Sequence, residues 1–247
     1  MHRVPLLLSI LAGACAGGPP PDQPFALEVE GGAAWQSRND VAVPGDTGTR
    51  FPLDELTGAE PFAAARAYLT WRPAARHELR ALAAPLSISG SGSLEAPVDF
   101  AGASFAAGVP TRANYRFDSY RLTWRYEIHP GETFRWWLGG TLNVRDAEIE
   151  LQQGATSARK TDTGLVPLLH VAGDWLFADG WRLALDVDGA VAPQGRAIDA
   201  SLKACVALDD ALELGLGYRT VEGGADNDEV YTFAWLHQAV VSLRYDF

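Results

Sequence analysis

The stretch "VVSLRYDF", residues 240–247, carries the chain to a carboxyl-terminal phenylalanine, and its reading decides the fold. Val241, Leu243, Tyr245 and Phe247 fall on one face of an extended segment; Ser242, Arg244 and Asp246 fall on the other. A soluble domain usually finishes in a polar, frayed tail. An alternation that keeps an apolar, aromatic face to its last residue reads instead as a strand in a wall, with lipid on one side.

The same period of two recurs through most of the chain. "LEVEGGAAWQ" (27–36) sets Leu27, Val29 and Trp35 against Glu28, Glu30 and Gln36. Strands are expected at 62–72, 77–88, 115–128, 133–151, 163–177, 181–191, 197–208, 212–221 and 233–247, which makes ten. The joints "PAAR", "HPGE", "ADG" and "DDA" are short and rich in turn residues. The other connections are expected to be longer, at roughly 25 residues after strands one and three and about a dozen after strands five and nine, with "APQGR" as the exception. Short turns on one side and long loops on the other, with an even strand count, describe a closed antiparallel up-and-down transmembrane β-barrel with both termini on the short-turn side.

Aromatic residues are expected in two bands. Trp71, Tyr126, Trp136, Trp175, Phe177, Trp181, Tyr245 and Phe247 lie near the short turns, and Trp35, Phe62, Tyr115, Phe117, Tyr218, Phe233 and Trp235 near the long loops. Two headgroup levels select such bands. The chain from Leu27 to Phe247 thus resembles a Gram-negative outer-membrane β-barrel protein, and its last strand is similar to the signal read by the barrel-assembly machinery. That resemblance implies that machinery as a partner through Phe247, and outer-membrane lipid and lipopolysaccharide as surroundings. The ten strands are similar in number to those of the omptin proteases, but that family's carboxylate pair and His–Asp pair have no counterparts in matching positions. "DGAVAPQGRAID" (188–199) and "GYRTVEGGADNDEVYTFAW" (217–235) resemble a group of uncharacterised outer-membrane proteins, which implies no activity.

Composition agrees with a barrel. Gly numbers 25 and Trp 8, Cys only 2, and the mean hydropathy is -0.05. No interior run approaches the ~18 apolar residues of a membrane helix. "MHRVPLLLSILAGACAGG" has a basic start, an apolar middle and a small-residue end, so residues 1–16 read as a secretory signal peptide and 17–26 as a disordered lead-in to the barrel at 27–247. "LAGAC" is similar to a lipoprotein signal at Cys15, with its leucine one position too far upstream. After cleavage only Cys205 remains, so no disulfide framework is expected.

With the apolar faces toward lipid, the bore receives both signs of charge, among them Arg66, Arg121, Lys203, Arg219, Glu28, Glu30, Asp188 and Asp199. A ten-strand bore is little wider than the ~8-strand case that side chains fill, so paired charges are expected to plug it. The tight "ADG" turn places Phe177 opposite Trp181 and His170 opposite Asp188, both inward, with Asp186 diagonal to them. A carboxylate beside an imidazole is what a general base requires, and Ser201 or water would serve as nucleophile. Asp186 is also expected beside Lys203, a pairing two residues off the register of a tight turn. The net charge of -11 must lie in the loops, and Glu222, Asp226, Asp228 and Glu229 are weak candidates for a cation without the spacing of a calcium loop. No cofactor motif and no basic aromatic groove for nucleic acid is present. The expected function is a small structural, adhesive or ligand-interacting outer-membrane barrel with long acidic outer loops. A narrow channel or uptake barrel, or a hydrolase using His170 and Asp188, is the alternative.

Overall fold

The computed structural model describes residues 23–193 and 195–247; the expected signal peptide, Cys15 and most of the lead-in lie outside them. The chain forms β1 (Phe25–Ala42), β2 (Phe51–Pro52), a one-turn α1 (Asp54–Thr57), β3 (Phe62–Ala74), β4 (His77–Ala84) and β5 (Ser87–Ser93). The hairpin of β6 (Val98–Phe100) and β7 (Ala103–Phe105) follows. Then come β8 (Pro110–Pro130), β9 (Phe134–Gln153), β10 (Thr156–Ala178), β11 (Trp181–Ala192), β12 (Gly195–Ala207), β13 (Leu212–Asp226) and β14 (Tyr231–Asp246). Adjacent strands of the wall pair antiparallel in the order β1, β3, β4 with β5, then β8 to β14, and β1 pairs with both β3 and β14, which closes the sheet. At the seam, Phe25 and Phe247 exchange backbone hydrogen bonds of 3.0 and 2.9 Å and their rings stack. The wall therefore begins at Phe25.

β4 and β5 are one wall strand. Ala84 faces Ser119 and Ser87 faces Arg116 in a single register along β8, so the barrel has ten strands as expected. The interruption is Pro85. The Leu86 carbonyl accepts from Phe117 N–H on the β8 side, so residue 85 faces β3, where proline has no donor to offer. The β3–β4 ladder stops at Ala67–Ala83, and β5 has no strand partner on that side among the described residues.

The outer surface carries a belt of exposed apolar side chains. Leu165 is 65% exposed, Leu169 60% and Leu216 65%, far too much contiguous hydrocarbon for a wall in water. Trp71, Trp136, Trp175, Trp181, Tyr245 and Phe247 edge the belt at the short-turn end. Trp35, Tyr218, Trp235 and His237 edge it at the other, with Trp35 and His237 stacked at 5.7 Å. A closed barrel with such a belt spans a bilayer, and this is the outer-membrane architecture. The even strand count leaves Phe25 and Phe247 together at the short-turn end, the end that faces the periplasm in outer-membrane barrels.

Three expectations need correction. Phe62, Tyr115 and Phe117 point inward rather than joining the outer aromatic band. Phe177 sits in a bulge, and Ala178 faces Trp181. The long loops expected after strands five and nine are strand instead. β9 and β10 run on to a tight turn at Gly154–Ala155, where Gly154 takes φ 59°, and β13 and β14 leave only residues 227–230 between them. Among the described residues only the connections 43–61 and 94–109 are long, and both fold into the barrel mouth.

Candidate functional site

The interior is stacked in three zones. At the mouth, Val43, Phe51, Leu53 and Leu56 from the first long connection meet Leu94, Val98, Phe100 and Phe105 from the second. Ile88, Tyr115, Ile149, Leu151 and Leu236 line the wall around them. Leu53 and Phe100 are fully buried. The β6–β7 hairpin can turn this sharply because Ala101 and Gly102 take φ 49° and 84°. Gly90 and Gly92 face inward on β5, where a Cβ would strike the α1 backbone at 2.5 and 2.7 Å, so α1 packs directly on the wall. The connection ends thus form an apolar plug.

Below the plug lies a layer of buried ion pairs that cross the bore. Asp199 of β12 meets Arg66 of β3 at 2.8 Å, Arg121 of β8 at 2.9 Å and Arg219 of β13 at 2.5 Å. Glu30 of β1 accepts from Arg219 at 2.8 Å and lies 3.3 Å from Lys203, which also pairs with Glu28. His170 and Asp188 face each other across the β10–β11 hairpin, as expected, with His170 Nδ1 2.9 Å from Asp188 Oδ1. Thr141 donates to the same oxygen at 2.7 Å, and Arg121 holds the other at 2.9 Å. The expected Asp186–Lys203 pair does not form. The β11–β12 turn keeps the tight register, so Asp186 stands opposite Ser201, and Arg80 reaches across the bore to clasp Asp186 at 2.6 and 3.0 Å. Local alternation set which residues face inward but not which of them meet across the lumen.

The third zone is a cavity of about 180 Å³ that reaches the short turns at 179–180 and 208–211. Arg80, Asp186 and Ser201 roof it, and Trp137 lies between Arg125 and Arg135, whose guanidiniums sit 5.1 and 4.9 Å from its ring. Glu78, which pairs with Arg125 at 2.5 Å, and Arg72 and Arg80 do not stand out as bore residues in the sequence. The alternation Glu78, Arg80, Leu82 against Leu79, Ala81, Ala83 carried that signal faintly, because alanine and leucine on both faces blur the contrast.

His170, Asp186 and Asp188 lie within ligand reach of one another, their donor atoms within 4.8 Å. Two carboxylates there already face three guanidiniums, Arg80 at 2.6 Å, Arg121 at 2.9 Å and Arg125 at 3.8 Å, so a dication would meet net positive charge. His170 Nε2 and Ser201 Oγ are buried without a hydrogen-bond partner, and hence not bonded to each other. His170 is fully buried and does not line the cavity. The acidic candidates at the rim are spread apart. Glu222 lies on the outer face of β13 and binds Arg196 at 2.5 Å, Asp226 ends β13, and Glu229 sits 3.6 Å from Lys160. Among the described residues they do not gather into a ligand set.

No family model matches the chain, and no curated protein sequence matches it. Among solved structures, the chain is similar to the outer membrane protease OmpT from Escherichia coli. The TM-score is 0.56 at 9% identity, over 92% of this chain and 97% of that one. The fold is that of an outer-membrane β-barrel. Neisserial surface protein A (TM-score 0.42, 10% identity, 91% and 97% coverage) and the attachment invasion locus protein Ail of Yersinia pestis (0.41, 12%, 90% and 99%) are more distant in shape. The likeness to OmpT is one of fold. The barrel's own surface, a closed wall with an apolar belt between aromatic edges, is what sets it in the outer membrane.

Proposed function

We propose that the protein acts through its outward face, as a closed outer-membrane platform for adhesion or ligand contact, and not through its bore. The observation that carries this reading is the apolar plug. Both long connections are pinned into the mouth by Leu53, Leu56, Phe100 and Phe105, so their outer surfaces are held in one arrangement. Pre-ordered loops lose little entropy on contact with a partner. Asp46, Glu55, Glu60, Glu95 and Asp99 are solvent-exposed on those connections, which favours a cationic partner surface. The plug above and the ion-pair layer below favour this reading over a channel.

In planar bilayers the purified barrel is expected to show no steady conductance. An open state that persists without denaturant would overturn the platform reading in favour of a channel. A hydrolase remains the second reading, favoured by the unpartnered Nε2 of His170 opposite the Asp188 contact. It requires the side chains around His170 to part, since neither end of the barrel reaches that nitrogen. Hydrolysis of a lipid or peptide ester that vanishes in His170→Ala, with the barrel still folded, would establish it.

A further inference from the structure

We propose that the unpaired edge of β5 binds an extended polypeptide segment bearing lysine or arginine, which adds to the wall as one more strand. β5 pairs with β8 alone, and the β3–β4 ladder stops at Ala67–Ala83. Phe117 N–H bonds the Leu86 carbonyl, so residues 88, 90 and 92 also turn their backbone groups toward β8. The N–H and C=O groups of Ser87, Ser89, Ser91 and Ser93 therefore point the other way. No backbone hydrogen bond reaches them there among the described residues. The β3–β4 register, carried upward, sets Phe62 opposite Ile88. Since β3 begins at Phe62, Ser89, Ser91 and Ser93 stand beyond its end.

This edge is open to a strand. Its outward side chains are all serine and all exposed. Ser87 and Ser89 turn their hydroxyls back to Asn114 of β8 at 3.3 and 2.8 Å, which clears the approach. Edges that resist pairing carry lysine, proline or a bulge, and residues 87–93 have none of these. Behind the strand, α1 lies against Gly90 and Gly92 and holds it in place, so little order has to be gained on binding. The outward row beside it on β8 is Arg112, Asn114 and Arg116, and the next on β9 is Gln152, Glu150 and Glu148. Such polar rows lie above the apolar belt, so the edge faces water.

Charge selects the occupant. The Glu55 backbone stands behind Gly92, and Glu95 follows β5 directly. Asp54 Oδ1 is buried without a hydrogen-bond partner. Partial burial, then the charges of Glu95 and Asp54, push the Glu55 carboxyl above its ordinary value, and a cation brought alongside would reverse that. Arg112 and Arg116 lie on the far side of β5, and Asp118 and Asp146 already hold Arg116. A second copy fits less well. Two barrels in one bilayer carry β5 in the same direction and can pair it only in parallel, which sets each carboxylate level with its own copy. The inference deepens the platform reading and rests on it.

The test is fluorescence anisotropy of a labelled peptide of alternating lysine and threonine, titrated with the full barrel in detergent micelles. Saturable binding is expected, and it should vanish when the peptide is N-methylated throughout, because no N–H is then left to pair. Ser91→Pro removes a donor from the open edge and none from the β8 ladder. It should keep the unfolding midpoint and weaken binding roughly tenfold. Ser91→Lys, exposed and outward, guards the same edge by charge and should weaken binding as well. Glu55→Gln/Glu95→Gln should weaken it about two- to fivefold, an effect that fades in high salt. Equal binding of the methylated peptide, or unchanged affinity in both Ser91 variants, would overturn the proposal, since charge alone would then hold the peptide. Barrel self-association that Ser91→Pro abolishes, without peptide binding, would overturn it in favour of a second copy. Conductance decides the platform reading separately, so a silent bilayer with no peptide binding would sink this inference alone.

Discussion

Two stretches of β8 differ only in depth, yet they invert each other. From Ser119 downward, Arg121, Thr123 and Arg125 face the bore while Tyr120, Leu122 and Trp124 face out. Above it, on the same two faces, Tyr115 and Phe117 face the bore while Arg116 and Asp118 face out. β9 repeats the inversion, with Leu138 and Leu142 outside below, and Ile149 and Leu151 inside above. No residue is inserted between the two regimes on either face of β8 there. The lower part is a membrane barrel, polar within and greasy without. The upper part is built like a soluble protein, apolar within and charged without. Alternation therefore reports a face, and depth decides which medium that face meets.

The contrast can be broken first in the ion-pair layer. Asp199→Ala leaves Arg66, Arg121 and Arg219 crowded together without their shared carboxylate, and should cost about 3–5 kcal/mol. Denaturant unfolding from lipid vesicles measures it. A loss below about 1 kcal/mol would mean that water, not the carboxylate, carries the charge of these arginines.

The next effect sharpens the boundary itself. Leu169→Arg places a cation on the lipid face of β10 and should cost roughly 2–4 kcal/mol, whereas Thr161→Arg, on the same face of the same strand, should change stability by less than about 0.5 kcal/mol. Equal costs would extend the belt upward and remove the inversion. Asp188→Ala, which strips Thr141 and His170 of their partner, should cost roughly 1–3 kcal/mol by the same unfolding measurement. Little change there would strengthen the hydrolase reading, because a pair kept without structural need has another use. The smallest effect lies outside and above. Arg159→Ala removes a 3.6 Å contact to Glu148 from a side chain 58% exposed, and should stay within about 0.5 kcal/mol.

Much of this was legible in the sequence, for a physical reason. The lower strands alternate strongly, so their number, their facing and the His170–Asp188 contact follow from a period of two and one tight turn. The upper strands look shorter, or like loops, in the sequence because their greasy face turns inside and glycine breaks the pattern, as in "VEGGAD" (221–226). Tyr115 and Phe117 read as lipid-interface residues in the sequence for the same reason. The Arg80–Asp186 clasp was invisible, since it joins walls on opposite sides of the bore.

The ties across the bore also constrain how the barrel can be made. Glu30 and Arg219 stand 189 residues apart, Arg66 and Asp199 133, Arg80 and Asp186 106. The strands near the start of the chain thus hold charges whose counterions arrive with the last ones. Glu30 and Arg66 stand opposite each other on β1 and β3 and can offset each other early. A half-built sheet exposed to hydrocarbon would still carry Glu28 without Lys203 and Arg80 without Asp186, at a cost a bilayer does not tolerate. Insertion and closure are consequently coupled into one cooperative event, and the electrostatic network acts as a check that only the complete cylinder can pass.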